Sequence, residues 1–259
     1  MRGFALFLIV ILASAPCFAG KADTIQVFSR AMQKEIKCVV ITPDKYKKSK
    51  KKYPVIYLLH GYSDNYSAWL KKTNSRLVDE ADELQALIVC PDGGYNSWYF
   101  DSEKDPAVRY ETFISNELVN YIDTNYKTIR ERTGRAITGL SMGGHGALYL
   151  GIRHKNVYGA VGSTSGGVDI LPFPDNWDIK KVLGDTACCL ANWQRNTVIN
   201  VADDLKNGDL KLIIDCGVSD FFLEVNRRFH QKLLSMKIDH DYIERPGGHN
   251  DEYWNNSID

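Results

Sequence analysis

Ala136-Ile137-Thr138-Gly139-Leu140-Ser141-Met142-Gly143-Gly144-His145-Gly146 is the stretch on which the fold turns. An apolar run ends at Thr138, a serine stands between two glycines, and a segment able to form a helix begins at Met142. Gly139-Leu140-Ser141-Met142-Gly143 fits the pattern G-x-S-x-G, in which a nucleophilic serine sits on a strained strand-to-helix turn. The chain two residues before and two after that serine passes too close for a side chain, so both positions are glycine. Gly144 and Gly146 allow the following helix to lie close on a sheet. A glycine-rich turn with a capping serine is the plainer alternative. The strand before and the helix after favour the nucleophile.

Working outward, short β-branched segments at 24–28 and 35–41 read as an antiparallel lead-in to a sheet. Apolar runs at 55–59, 86–89 and 136–138 read as buried parallel strands, with 210–214 a fourth and 241–244 the last. Helical periodicity separates them: Phe113, Ile114, Leu118, Tyr121 and Ile122 share one face over 110–126, and Phe222, Val225, Phe229 and Leu233 share one over 221–234. A helix over 144–153 follows Ser141. Strands alternating with helices imply an α/β fold, a mostly parallel sheet with helices on both faces. Residues 166–207, with Pro172, Pro174, Trp177 and Trp193, read as a less regular insertion or cap rather than a second domain. The six lysines between Asp44 and Tyr53 read as one solvated loop.

The whole chain sets the limits. Its 259 residues are 44% hydrophobic and 25% charged, the composition of a globular protein, and the length suits one α/β domain over 21–259. Lys and Arg total 32 and Asp and Glu 32; this balance argues against a nucleic-acid partner. Residues 1–20 open with Arg2, continue with an apolar run from Phe4 to Leu12 and close on Cys17-Phe18-Ala19-Gly20. That order reads as a signal peptide, which places the mature protein in the periplasm or outside the cell. That run is too short to span a membrane as a helix, and no later apolar stretch is long enough. Five cysteines then remain: Cys38, Cys90, Cys188, Cys189 and Cys216. No Cys-x-x-Cys spacing occurs, so neither a metal site nor a cofactor is called for. The adjacent pair Cys188-Cys189 could hold one disulfide to a strand cysteine.

A serine hydroxyl needs a base in reach, an acid that orients the base, and donors for the oxyanion that forms on the substrate. Leu58-Leu59-His60-Gly61-Tyr62 follows the first buried strand, where a backbone N–H of the loop joins that of the residue after the nucleophile. The oxyanion donors are therefore assigned to Tyr62 and Met142. His60 fixes this loop, and His60, Gly61 and Trp98 are placed beside the substrate. The acid belongs after the strand at 210–214, where Asp215 and Asp220 both qualify; Asp220, beyond the turn Cys216-Gly217-Val218-Ser219, is preferred. The base belongs near the end of the chain, and Pro246-Gly247-Gly248-His249-Asn250 supplies it. Ser141, Asp220 and His249 follow one another in the chain order Ser, Asp, His.

Together with these elements, His60-Gly61, Asn96-Ser97-Trp98-Tyr99, Tyr110-Glu111-Thr112-Phe113-Ile114, Gly139-Leu140-Ser141-Met142-Gly143-Gly144 and Gly247-Gly248-His249 resemble the esterase D-type esterases of the α/β-hydrolase fold. That group includes S-formylglutathione hydrolases, tributyrin esterases, feruloyl and acetyl-xylan esterases and mycolyltransferases. The resemblance runs from about Thr24 to Trp254 and implies Ser141, Asp220 and His249 as the catalytic triad. It implies a small-molecule or polysaccharide-linked ester as substrate, and a leader peptide argues against the cytosolic thioester S-formylglutathione. Feruloyl or acetyl esters of plant polysaccharide are expected, with Trp69, Tyr95, Trp98 and Tyr99 as rings on which a sugar or phenol could stack. An acyltransferase, a thioesterase and a non-catalytic carbohydrate binder are the alternatives.

Overall fold

The structure, a computed structural model, describes residues 21–257. The leader expected over 1–20 lies outside the described residues. Eight strands form one sheet: β1 (Lys21–Ser29), β2 (Lys34–Thr42), β3 (Val55–Leu59), β4 (Leu87–Pro91), β5 (Arg135–Gly139), β6 (Ala160–Thr164), β7 (Lys211–Gly217) and β8 (Asp241–Arg245). Their order is β1-β2-β4-β3-β5-β6-β7-β8. The β1–β2 hairpin joins the sheet antiparallel through β2 and β4, and every other pairing is parallel.

The pleat sorts the core. Along β3 and β4, Tyr57, Leu59, Leu87 and Val89 enter the larger cluster, while Leu58, Ile88 and Cys90 enter the smaller one on the opposite face. The larger cluster takes Phe113, Leu118 and Ile122 from a continuous helix over 110–125, whose middle, Phe113–Leu118, is wound as a π-helix. It also takes Leu148 and Leu150 of the helix Met142–Arg153, and Phe229 and Leu233 of the helix Leu223–Ser235. Two short helices, Leu77–Glu83 and Asp251–Ser257, bring Leu77, Ala81 and Trp254 to the smaller cluster. No helix among the described residues is long and apolar enough to cross a membrane.

Two segments differ from the sequence reading. Strand β6 was not expected, because Ala160-Val161-Gly162-Ser163-Thr164 has little of the bulk that marks a strand. Its small residues are dictated by neighbours: a Cβ on Gly162 would stand 2.5 Å from Thr138 Oγ1, and one on Gly151 of the overlying helix 2.3 Å from Val161 Cγ2. Residues 166–207 are more regular than expected, with helices Ile179–Leu183, Thr186–Asn196 and Val198–Val201. The buried Trp193 anchors them. No cysteine of this segment reaches a strand cysteine: all five are free thiols, with Cys38, Cys90 and Cys216 buried in the sheet.

One buried carboxylate ties the helix over 110–125 to the end of the helix Met142–Arg153. Glu111 accepts hydrogen bonds from Tyr149 Oη (2.8 Å) and Arg153 Nε (2.8 Å), and lies 2.9 Å from His154 Nε2. Burial alone would push its carboxyl up, but the bonds from His154, Arg153 and Tyr149 and the Arg153 charge outweigh it, and the pKa falls from 4.5 to about 2. A depressed acid stabilises the fold above its unfolded pKa, and the contribution is lost as pH falls toward the folded value. Wild type is therefore expected to lose on the order of 2–3 kcal/mol of unfolding free energy between about pH 5 and pH 2 through this group. Glu111→Gln should start less stable at pH 7 and show a flatter decline. Parallel urea titrations of the two proteins that fall equally over this range would refute the assignment.

Candidate active site

Ser141 sits where β5 gives way to the helix Met142–Arg153, with φ 55 and ψ −117. This left-handed backbone is costly for a side-chain-bearing residue and needs support from all sides. Ser141 N donates to Thr164 O at 3.0 Å, and Ser141 O accepts from His145 N (3.0 Å) and Gly167 N (3.4 Å). The flanking glycines are required. A Cβ on Gly139 would lie 2.6 Å from Leu59 O, and one on Gly143 2.4 Å from Leu59 O and 2.7 Å from His60 O. The neighbours are backbone, which cannot swing away.

His249 and Asp220 come from the loops that leave β8 and β7. These loops are stitched to one another: Val218 N donates to Arg245 O (2.9 Å) and Ser219 N to Gly247 O (2.9 Å). Gly247 takes φ 131, and a Cβ on Gly217 would stand 2.5 Å from Gly247 O. The buried Asp220 accepts from Phe222 N at 2.8 Å through Oδ1. Its Oδ2 lies 2.8 Å from His249 Nδ1, and His249 Nε2 lies 2.8 Å from Ser141 Oγ. A carboxylate can only accept, so Nδ1 carries the imidazole proton and Nε2 is free to accept from the serine hydroxyl. Asp215, the other candidate acid, faces away: it accepts from Tyr253 Oη (2.6 Å) and lies 3.4 Å from Arg245 Nε.

Of the residues assigned to the oxyanion donors, Met142 directly follows Ser141, and Tyr62 directly follows Gly61, which lies against the serine. Gly61, just before Tyr62, has its Cβ direction 3.6 Å from Ser141 Cβ, and Met142 begins the helix after the serine. Among the described residues, neither the Tyr62 nor the Met142 backbone N–H donates a hydrogen bond. Two free donors beside a serine are what a developing oxyanion requires. Gly61 leaves room on this side, because a Cβ there would meet Leu140 Cδ1 at 2.7 Å.

His60 and Trp98, expected beside the substrate, are both buried. His60 is 1% exposed; its Nε2 accepts from Gly93 N (2.7 Å), so Nδ1 donates to Gly61 O (2.8 Å). Burial lowers its pKa and the ring stays neutral, its two nitrogens spent on holding the loop. Trp98 is 1% exposed and packs on His145 (5.3 Å between ring centroids) and Trp177 (5.9 Å). Tyr99 is also buried and donates to His60 O at 3.0 Å, and Trp69 is buried and donates to Leu59 O at 2.9 Å. Of the four rings expected to stack on substrate, Tyr95 alone is exposed, at 58%, edge-on to Tyr62 at 5.0 Å.

Other rings border the site. Phe221, 52% exposed, lies 4.2 Å from the His249 ring, and Trp177 stacks on Phe221 at 5.6 Å. Tyr62 Oη reaches Asp178 Oδ2 at 3.2 Å, which joins the segment over 166–207 to the loop of β3. Trp254 closes behind His249 at 4.9 Å. The adjacent aromatics Phe221-Phe222 directly after Asp220 were the sequence signal for this rim. Among the described residues, no group of three or more His, Cys, Asp or Glu could hold a metal ion.

Gly143→Ala should drive the elbow and the loop of β3 apart, at about 1–3 kcal/mol of stability and a melting temperature several degrees lower. Gly248→Ala meets nothing nearer than 3.4 Å and is the control. Equal melting temperatures for the two variants in differential scanning calorimetry would refute the close approach.

The chain matches the family model "Putative esterase" over residues 29–259. It is 28% identical over 253 residues to an acetyl esterase of Caldicellulosiruptor saccharolyticus, covering 90% of this chain and 94% of the relative. It is 33% identical over 177 residues to the diacylglycerol acyltransferase/mycolyltransferase Ag85A of Mycobacterium leprae, covering 62% of this chain and 50% of the relative. A solved ferulic acid esterase superposes with a TM-score of 0.79 at 30% identity, covering 93% of this chain and 95% of that one. The chain belongs to this esterase family of α/β hydrolases and is a carboxylic-ester hydrolase.

Proposed function

We propose that the protein is an exported serine esterase that cleaves acyl esters through Ser141, His249 and Asp220. The reading is carried by the continuous chain Ser141 Oγ, His249, Asp220, with 2.8 Å at each link. His249 Nε2 takes the proton as Ser141 Oγ attacks the ester carbonyl, and Asp220 holds the ring in the tautomer that makes this possible. The N–H groups of Tyr62 and Met142 receive the oxyanion, the latter at the positive end of a helix. His249 returns the proton to the leaving alcohol. Water then repeats the cycle on the acyl-enzyme.

The ester class is proposed to be feruloyl or acetyl groups on plant polysaccharide. The names of the relatives support this, as does the aromatic rim. Phe221, Trp177, Tyr62 and Tyr95 offer ring faces and edges beside His249 and the loop of β3, suited to a phenolic or sugar ring. The helical segment over 166–207 is read as a cap on the domain, because Trp177 and Asp178 reach that rim from it. Export rests on the leader layout of residues 1–20.

Ser141→Ala should lower kcat on p-nitrophenyl acetate by roughly ten-thousand-fold or more, and Asp220→Asn by a comparable factor. Asp215→Asn should lower it far less. Unchanged turnover in Ser141→Ala would sink the mechanism, and a larger loss in Asp215→Asn than in Asp220→Asn would reverse the choice of acid. A panel of methyl ferulate, acetylated xylan and p-nitrophenyl esters tests the substrate class; inactivity on both plant-type esters would exclude it. Adding a sugar acceptor separates hydrolysis from the acyl transfer for which Ag85A is named.

A further inference from the structure

Cys188 and Cys189 are consecutive residues in the helix Thr186–Asn196. In a regular α-helix, consecutive side chains diverge by roughly 100° and do not face one another. Here the backbone leaves helical geometry at Cys189, with φ −130 and ψ 27, and the two Sγ atoms stand 2.7 Å apart. That is closer than two sulfurs in ordinary non-bonded contact, though longer than the roughly 2.05 Å of a disulfide. The surroundings hold this geometry. Cys188 Sγ lies 3.3 Å from Asp185 O, and Asp185 caps the helix by accepting from Ala187 N at 2.8 Å. Gly184, at φ 87, leaves open the space in which a Cβ would meet Cys189 Sγ at 2.7 Å and Lys104 Cε at 2.9 Å.

Among the described residues, the other thiols offer no competing partner. Cys38, Cys90 and Cys216 are buried in the sheet, and burial pushes each of them up, Cys90 to about 12. Cys38 and Cys90 lie on neighbouring strands but belong to the core clusters on opposite faces. Cys188, in contrast, is exposed and Cys189 half-buried. At Cys189 the hydrogen bond with Cys188 raises the pKa, while the Lys104 ammonium acts the other way and favours a thiolate.

We propose that Cys188 and Cys189 are a covalent modification site, closing into a vicinal disulfide on meeting an external disulfide oxidant. One cysteine, as thiolate, attacks a sulfur of the oxidant, forms a mixed disulfide and releases the first external thiol. The second attacks the mixed disulfide at the protein sulfur, closes the intramolecular bond and releases the second external thiol. The two protons lost by the cysteines go to the two released thiols, and the oxidant gains two electrons. The bond closes a loop of only two residues, so it adds little chain entropy to stability. Its effect is local: it fixes the non-helical backbone at Cys189 beside Gly184, whose carbonyl accepts from Trp193 Nε1 at 2.8 Å.

The purified protein is incubated with oxidised glutathione, denatured in N-ethylmaleimide without reductant, and mapped by peptide mass spectrometry. The peptide carrying both residues is expected to lose the mass of two hydrogens and to go from two labels to none, while Cys38, Cys90 and Cys216 are labelled. Prior reduction should restore both labels. Two labels on that peptide after oxidation, a stable glutathione adduct, or a link between chains would each overturn the proposal. In Cys188→Ser, Cys189 should instead carry one label or one glutathione, with esterase turnover unchanged. Persistence of the two-hydrogen loss in that variant would likewise overturn the pairing.

Discussion

The backbone at Ser141, with φ 55 and ψ −117, is the constraint on which the rest of the site depends. A non-glycine residue in such a conformation costs on the order of 1–3 kcal/mol and persists only where its surroundings fix it. Strand β6 supplies Thr164 O to Ser141 N, the helix returns His145 N to Ser141 O, and the loop of β3 presses its carbonyls against Gly139 and Gly143. Three elements thus converge on one turn. The strained turn raises the hydroxyl above the strand ends and leaves the Met142 N–H without an internal acceptor.

His249 and Asp220, the proposed base and acid, are positioned by a separate construction. The loops after β7 and β8 are joined by backbone hydrogen bonds and by the contact of Gly217 with Gly247, which sets His249 against Asp220 without reference to Ser141. The two constructions meet because β5, β6 and β7 are adjacent in the sheet. On the far side, Tyr253 donates to Asp215, and Trp254 of the same short helix backs the His249 ring. Asp215 is held above the ordinary carboxyl value by burial, with Tyr253 and Arg245 opposing. Its carboxyl thus anchors the end of the chain where His249 is carried.

How much of this was legible in the sequence varied with the kind of information each residue carries. The elbow was legible because its glycines are a steric necessity. The strands β3 and β4 were legible because burial on both faces demands unbroken apolar runs. Strand β6 was not, because the close approach of the helix Met142–Arg153 and of Thr138 demands small residues, which carry no strand signature. The helices over 179–201 were hidden for a related reason: they are short, and contacts distant in sequence, such as Ser102 Oγ donating to Val182 O, hold them in place. Burial of Trp69, Trp98 and Tyr99 was equally invisible, since an aromatic residue near a strand end reads the same whether it packs a loop or faces solvent.

The choice between Asp215 and Asp220 shows where pattern and geometry meet. Asp215 lies within β7, so the pleat decides its direction: Leu212 and Ile214 point into the larger core, and Asp215 turns with Ile213 to the opposite face. No loop rearrangement can bring it to the base while the strand stays paired. Asp220 lies past the strand end, where Gly217 and the turn after it free the chain to curl back over the sheet edge. An acid meant to meet a base from another loop must lie outside the pleat. His249 after β8 and Tyr62 after β3 lie likewise beyond their strands, so the residues of the proposed site gather at one end of the sheet, where parallel strands release their chains.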